Sequence, residues 1–179
     1  MGGAWVRQDL DVSFTGPGAE ADCSGIYVVG GTSHLDNHTW LRHQAPNCTS
    51  RETYHGVLGG KAKAVFNGMV RIDRGAVGTD ASLYNRNLLL SDHATVYAKP
   101  ELEIFADDVK AAHGCTVGQL DPEQLTYLRS RGFDLIQARQ LLTRAFLVRV
   151  LDAVKDDDLR EVSNGLIAGA LDKLIGDQS

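Results

Sequence analysis

The feature that most constrains the fold is the first two thirds of the chain, where short β-branched or aromatic runs alternate with Gly, Asn, Asp and Pro. The runs fall at residues 26–29, 64–66, 69–72, 94–97 and 102–105. No convincing helical periodicity interrupts them between residues 6 and 117. A chain of this kind buries its strands in a sandwich, a barrel or a solenoid.

A loose repeat is present in the same region. Asp36, Asp73 and Asp92 each begin a segment with two polar or small residues followed by Ala-, Thr- or Val-like positions, at offsets of 37 and 19. This spacing predicts solenoid coils of about 19 residues. The repeat by itself leaves two folds open, a parallel β-helix and an antiparallel sandwich.

The pattern changes to helical after Gly118. Asp121 is placed as an N-cap, with Pro122 at the first helical position and Gln124 at the third, and Gly132 ends the helix. Asp134 begins a second, longer helix with apolar residues at three- and four-residue spacing up to Val154. A last helix spans about 159–175, so we predict a β core over 1–118 and a helical domain over 119–179.

Charge and hydropathy exclude two classes of partner. The chain has 18 Lys and Arg against 23 Asp and Glu, a net charge of −5, without a basic run. This balance argues against nucleic acid and anionic membranes as primary partners. No apolar run reaches the roughly 18 residues of a membrane span, and the N-terminus lacks a signal-peptide layout. The predicted location is the cytoplasm.

The cysteines and most of the histidines have structural interpretations. Cys23, Cys48 and Cys115 are widely spaced and form no Cys-x-x-Cys pair, so the first two are expected to be reduced, mostly buried thiols. His34, His38 and His43 have a spacing reminiscent of a helical metal motif, but they lie in a strand-like region, which favours the solenoid surface.

A long, ordered set of sequence words resembles the SufD family of the SUF iron–sulfur cluster assembly system. The words lie at residues 85–91, 99–110, 112–118, 120–125 and 127–132. The resemblance implies a right-handed parallel β-helix followed by a small C-terminal helical unit, which decides between the two folds left open by the repeat. It also implies a non-enzymatic scaffold subunit.

The resemblance points to His113 as a residue of the nascent-cluster site, at the interface with a SufB-type scaffold. The family commonly has a cysteine two residues before this histidine, where this chain has Ala111. Cys115 is a weaker candidate, and we expect it to be a packing residue instead. Residues 111, 113 and 115 share one face if the strand continues through Gly114.

The same resemblance implies a docking surface for a SufC-type ATPase on the C-terminal helices, where the candidate residues are Tyr127, Leu128, Arg129 and Arg131. It implies a transient cluster in the complex and no cofactor tightly bound to the isolated chain. A homodimer through the β-helix is a further expectation.

The main alternative is a stand-alone metal-binding or redox protein that uses His113 and Cys115. A β-helical carbohydrate-active enzyme is disfavoured because the aromatic residues do not cluster.

Overall fold

The computed structural model describes residues 4–176 as eight β-strands followed by helices. Residues 1–3 and 177–179, at the outer ends of the two predicted domains, lie outside the described residues. The strands are β1 Trp5–Phe14, β2 Glu20–Val29, β3 His34–His43, β4 Thr49–Leu58, β5 Lys63–Ile72, β6 Asp80–Leu89, β7 Thr95–Ile104 and β8 Lys110–Gln119.

The strands form two four-stranded parallel sheets, β1-β3-β5-β7 and β2-β4-β6-β8. Because consecutive strands alternate between the sheets, each pair of strands makes one coil of a solenoid. The predicted parallel β-helix is therefore confirmed, and the antiparallel sandwich is excluded. Runs 64–66 and 69–72 are two halves of the single strand β5.

The predicted coil length of about 19 residues is wrong. Residues paired between successive coils are 29 to 32 positions apart, as in Trp5 with His34 and Lys63 with Thr95. The three aspartates that suggested the shorter period are not equivalent. Asp36 lies inside β3, whereas Asp73 and Asp92 lie in the turns after β5 and β6.

Alternate residues of each strand point into the solenoid, since side chains on a strand alternate between its faces. The lumen has an apolar part that includes Leu41, Phe66 and Leu83, all fully buried. It also holds buried polar side chains, which are Asn37, Thr39, His43, Ser50, Glu52, Asn85 and Asn87. These polar residues break the hydrophobic alternation that would otherwise have marked β3, β4 and β6 in the sequence.

His43 is one of these lumen residues, so its predicted place on the solenoid surface is wrong. Its ring is 0% exposed, stacks on Phe14 at a centroid distance of 4.2 Å, and lies 2.9 Å from the Ser50 hydroxyl through Nε2. His34 and His38, at alternate positions of the same strand, are only partly buried. Side chains at odd-numbered positions of β3 point into the lumen, so His43 is buried, whereas His34 and His38 lie on the outer face.

The helices follow the predicted caps closely. They are α1 Pro122–Ser130, α2 Leu135–Val148 and α3 Asp157–Gly176, with a 3-10 turn at Arg149–Ala153 between α2 and α3. The Asp134 side chain accepts a hydrogen bond from the Gln137 backbone N–H, and Oε1 of Gln137 accepts one from the Asp134 backbone N–H, which completes the capping box. The 3-10 turn interrupts the single long helix that was predicted to continue to Val154.

The helical region packs on the outer face of the β2-β4-β6-β8 sheet. Val57 of β4 and Leu88 of β6 point away from the lumen and join a core with Leu147 of α2 and Leu171 of α3. Burying such apolar groups contributes on the order of 25 cal/mol per Å². The two predicted regions therefore share a hydrophobic core. Within residues 4–176, no helix is long and apolar enough to cross a membrane.

Candidate functional site

The last coil of the solenoid carries the candidate site on β8. In the described part of the chain β8 pairs with β6 on one side and with no strand on the other. Its outer edge therefore offers free backbone N–H and C=O groups. Such an edge is a template for pairing with a strand of another chain.

His113 and Cys115 both face the open end of the lumen. They pair in register with Leu83 and Asn85, which are fully buried and point into the solenoid. Neighbouring strands in register place paired side chains on the same face, so all four point inward. No further coil covers β8 among the described residues, and His113 and Cys115 are exposed.

The strand runs without a break through Gly114, so residues 111, 113 and 115 lie on one face. Ala111, where the family commonly has a cysteine, packs against the lumen core. The expectation that Cys115 is a packing residue is wrong, because its thiol is free and exposed. The Cys115 thiol is therefore accessible to solvent.

Gly114 lies against the ring of Tyr84 on the outer face of the sheet. A Cβ on Gly114 would lie 3.1 Å from Cδ1 of Tyr84. This is closer than ordinary van der Waals contact, so a larger residue would displace the ring. The glycine next to His113 is therefore explained by strand packing.

A polar network lies in the lumen behind Cys115, which pairs in register with Asn85. The Asn85 side chain donates to the Tyr27 hydroxyl at 3.1 Å, and Asn87 donates to Oδ1 of Asn85 at 2.5 Å. Tyr27 in turn donates to Oδ1 of Asn87. Burial raises the pKa of Tyr27 to about 12, and the thiol of Cys115 adds a smaller upward effect. The Tyr27 phenol therefore stays protonated, and its hydroxyl is held by the two asparagine side chains.

A second polar group lies one coil earlier and is not evident from the sequence. Glu52 is 0% exposed and has no hydrogen-bond partner of normal geometry for either oxygen. Burial raises the pKa of Glu52 to about 7, with the Thr39 hydroxyl opposing the shift. Cys23 pairs in register with Glu52. Burial is the main cause of a raised pKa of the Cys23 thiol, and the charge of Glu52 raises it further. No cysteine spacing or motif in the sequence identifies this pair.

The described residues contain no group of three or more His, Cys, Asp or Glu side chains arranged to hold a metal ion. His113 and Cys115 are two candidate ligands separated by two positions on a strand, or about 7 Å between their Cα atoms. They could each supply one ligand to an iron or a cluster at the open face.

The candidate docking residues lie on α1 and just after it. Tyr127 is 58% exposed, and the Arg131 guanidinium lies 5.2 Å from its ring centroid. Arg129 is exposed, whereas Leu128 is half-buried. The structure thus brings Tyr127 and Arg131 together as one exposed cation–π pair and directs Leu128 partly inward.

The chain matches the family model described as SUF system FeS cluster assembly, SufBD core domain, over residues 1–146. It is 37% identical to the iron-sulfur cluster assembly protein SufD of Escherichia coli K12, with 90% of this chain and 38% of the relative aligned. An iron-sulfur cluster assembly SufBD family protein of Mycobacterium leprae is 38% identical over 90% of this chain and 43% of its own length. SufD of Bacillus subtilis is 33% identical over 82% of this chain and 33% of its own length.

The chain thus spans about two fifths of the length of the first two of these relatives. The matched region contains the whole solenoid, α1 and most of α2. By fold and by sequence, this chain is a SufD-like member of the SufBD family of the SUF iron–sulfur cluster assembly system.

Proposed function

We propose that the chain is a non-enzymatic scaffold element in cytoplasmic iron–sulfur cluster assembly. In this proposal, the open edge of β8 pairs with a SufB-type scaffold, and His113 contributes a ligand to the nascent cluster, which is the cargo of the complex. The observation that carries the proposal is the placement of His113 and Cys115 on one face of β8, a strand whose outer edge pairs with no other strand in the described part of the chain.

The number of ligands supports a site shared between two chains. An iron–sulfur cluster takes about four protein ligands. The described part of β8 offers His113 and Cys115, and both face the end of the solenoid rather than a closed pocket. A cluster held here would need its other ligands from a partner strand placed along the same edge.

The alternative is a stand-alone metal or redox protein that uses the same two residues. Exposed ligands on one strand would leave an iron largely open to water. Anaerobic reconstitution of the isolated chain with iron and sulfide separates the two functions. A stable cluster on the chain alone, lost in Cys115→Ser, would favour the alternative.

The test of the scaffold function is cluster assembly in the complete complex with the SufB-type and SufC-type subunits. His113→Ala is expected to lower the iron and sulfide content of the complex strongly while the subunits still co-purify. His93→Ala is the matched control, because His93 is also exposed but lies in the turn after β6. Unchanged cluster content in His113→Ala would contradict the role of His113.

The proposal places SufC-type ATPase docking on the helical region, with Tyr127, Leu128, Arg129 and Arg131 as the contact residues. The exposed Tyr127–Arg131 pair supports this assignment, since aromatic and arginine side chains are the commonest interface anchors. In the absence of the SufB-type partner, two copies of the chain could pair through their β8 edges, which we keep as a secondary proposal.

A further inference from the structure

A cleft of mixed polar and apolar lining lies between the solenoid and the helices, at the C-terminal end of β8. It has a volume of about 550 Å³, within the range of small-molecule sites. Its walls come from the turn at Gly60, the turn after β6, the end of β8, and helices α1 and α2. The residues that the argument uses are Ser91, Asp92, Gln119, Leu125 and Arg139.

Arg139 lines this cleft from α2 without a partner among the described residues. Its Nε is buried and forms no hydrogen bond, and no carboxylate in residues 4–176 lies within ion-pair distance. Guanidinium groups stay charged, and a buried donor without an acceptor costs free energy. The rigid fork of arginine matches the two oxygens of a carboxylate. The Arg139 side chain as a whole is only partly buried, and a carboxylate is the ligand group that best fits its guanidinium in this cleft.

Asp92 lines the same cleft and does not neutralise Arg139. Its Oδ1 accepts a hydrogen bond from Nε2 of Gln119 at 2.9 Å. The cleft therefore carries a cation and an anion that do not meet each other. A dianion would be repelled by Asp92, whereas a ligand with both charges would complement both groups. Leu125 adds an apolar surface for a short side chain.

We propose that this cleft binds a small zwitterion of the amino-acid class, with its carboxylate on the Arg139 guanidinium and its ammonium group towards Asp92. The inference is independent of the proposed scaffold function, because it uses neither His113 nor Cys115 and no residue of the Tyr127–Arg131 pair. It involves binding alone and no chemical step.

The experiment is an NMR titration of the purified chain with L-alanine at constant ionic strength, following the side-chain Nε–H resonance of Arg139. We expect a saturable shift of this resonance below about 50 mM ligand. Sodium propionate, which lacks the ammonium group, should bind more weakly. The absence of a saturable shift with L-alanine would overturn the proposal directly on the unaltered protein.

Variants assign the two charges. Arg139→Gln should weaken L-alanine binding by about tenfold or more, and Arg139→Lys, which keeps the charge but loses the fork, should also weaken it. Asp92→Asn keeps an acceptor for Gln119 and should weaken binding of L-alanine but not of propionate. Arg144→Gln, an exposed arginine on the same helix, is the control. Equal affinity in Arg139→Gln and in the control would overturn the site, and equal affinity for propionate and L-alanine would overturn the zwitterion.

Discussion

The His55 ring joins the solenoid to the helical region through the Phe146 backbone. Nδ1 of His55 lies 2.8 Å from the Phe146 carbonyl oxygen, and the two rings stack at a centroid distance of 4.7 Å. Because a carbonyl accepts, Nδ1 carries the proton. The contact caps the C-terminal end of α2, where histidine side chains commonly bond the last carbonyls. One side chain thus couples β4 to α2.

We expect His55→Ala to destabilise the docking of the helical region by about 2 kcal/mol or more. The change removes a hydrogen bond worth about 1 kcal/mol, an aromatic contact and buried volume. Hydrogen exchange should show the loss as faster exchange in α2 and α3 than in β3 and β5. His93→Ala, an exposed histidine, is the control, and equal protection in both variants would contradict the coupling role.

Much of this architecture follows from local sequence signals. Asp134 and Gln137 form the predicted capping box, and Gly132, at φ +98°, ends the first helical segment as expected. Local signals fail where the lumen is polar. Asn37 and Thr39 point inward from β3, so the strand lacks the apolar alternation that identifies a buried face.

The coil length and the candidate site depend on contacts between distant residues. The pairing of Leu83 with His113 joins residues 30 positions apart, and His55 meets Phe146 across 91 positions. No local pattern contains either separation. The resemblance identified His113, but the exposure of Cys115 follows from its place on the last strand, which only the assembled solenoid defines.

Glu52→Gln is expected to stabilise the protein above neutral pH. The folded-state pKa of Glu52 is raised to about 7 from 4.5, so folding favours the protonated form. The contribution of protonated Glu52 to the unfolding free energy is fully present below pH 4.5 and is lost as the pH rises through 7. At pH 8 the wild-type protein therefore pays a penalty of about 3 kcal/mol, at 1.36 kcal/mol per pKa unit.

Urea unfolding at pH 5 and pH 8 measures this effect. The glutamine variant should exceed the wild type in unfolding free energy at pH 8 and by much less at pH 5. Glu20→Gln, at an exposed position of β2, is the matched control and should change neither value. A glutamine variant that gains equally at both pH values would show that the carboxylate is ionised throughout.

His43 gives the opposite pH dependence. Burial lowers its pKa to about 4 from 6.5, so the folded state favours the neutral ring. Stability is present above pH 6.5 and is lost as the pH falls towards 4, by up to about 3 kcal/mol. We expect the difference in unfolding free energy between the wild type and His43→Gln to shrink between pH 7 and pH 4. A constant difference would mean that folding does not lower the pKa of the His43 ring.

Cys115→Ser should leave the unfolding free energy within about 0.5 kcal/mol, because exposed substitutions away from caps and cores have small effects. Cys48→Ser is the buried comparison. The Cys48 thiol is 0% exposed and lies 3.3 Å from the Gly16 carbonyl, so its replacement should cost more. If the Cys115 thiol serves the nascent cluster, Cys115→Ser will lower cluster content as His113→Ala does; normal cluster content would exclude that role for the thiol.

Reversing the charge of Arg129 and Arg131 tests the proposed docking surface for the SufC-type ATPase. Both side chains are exposed, and Arg131 lies over the Tyr127 ring, so Arg129→Glu with Arg131→Glu would remove the cation–π pair and place two carboxylates on α1's end. We expect at least about a tenfold loss of affinity, or about 1.4 kcal/mol, in a titration with the purified ATPase.

The solenoid should keep its stability, since α1 contributes no buried residue. Arg74→Glu with Arg144→Glu, at exposed positions in the turn after β5 and on α2, changes the net charge by the same amount and is the control. Unchanged affinity in the double variant would move the docking surface to α3, where Leu159, Val162 and Leu166 are exposed.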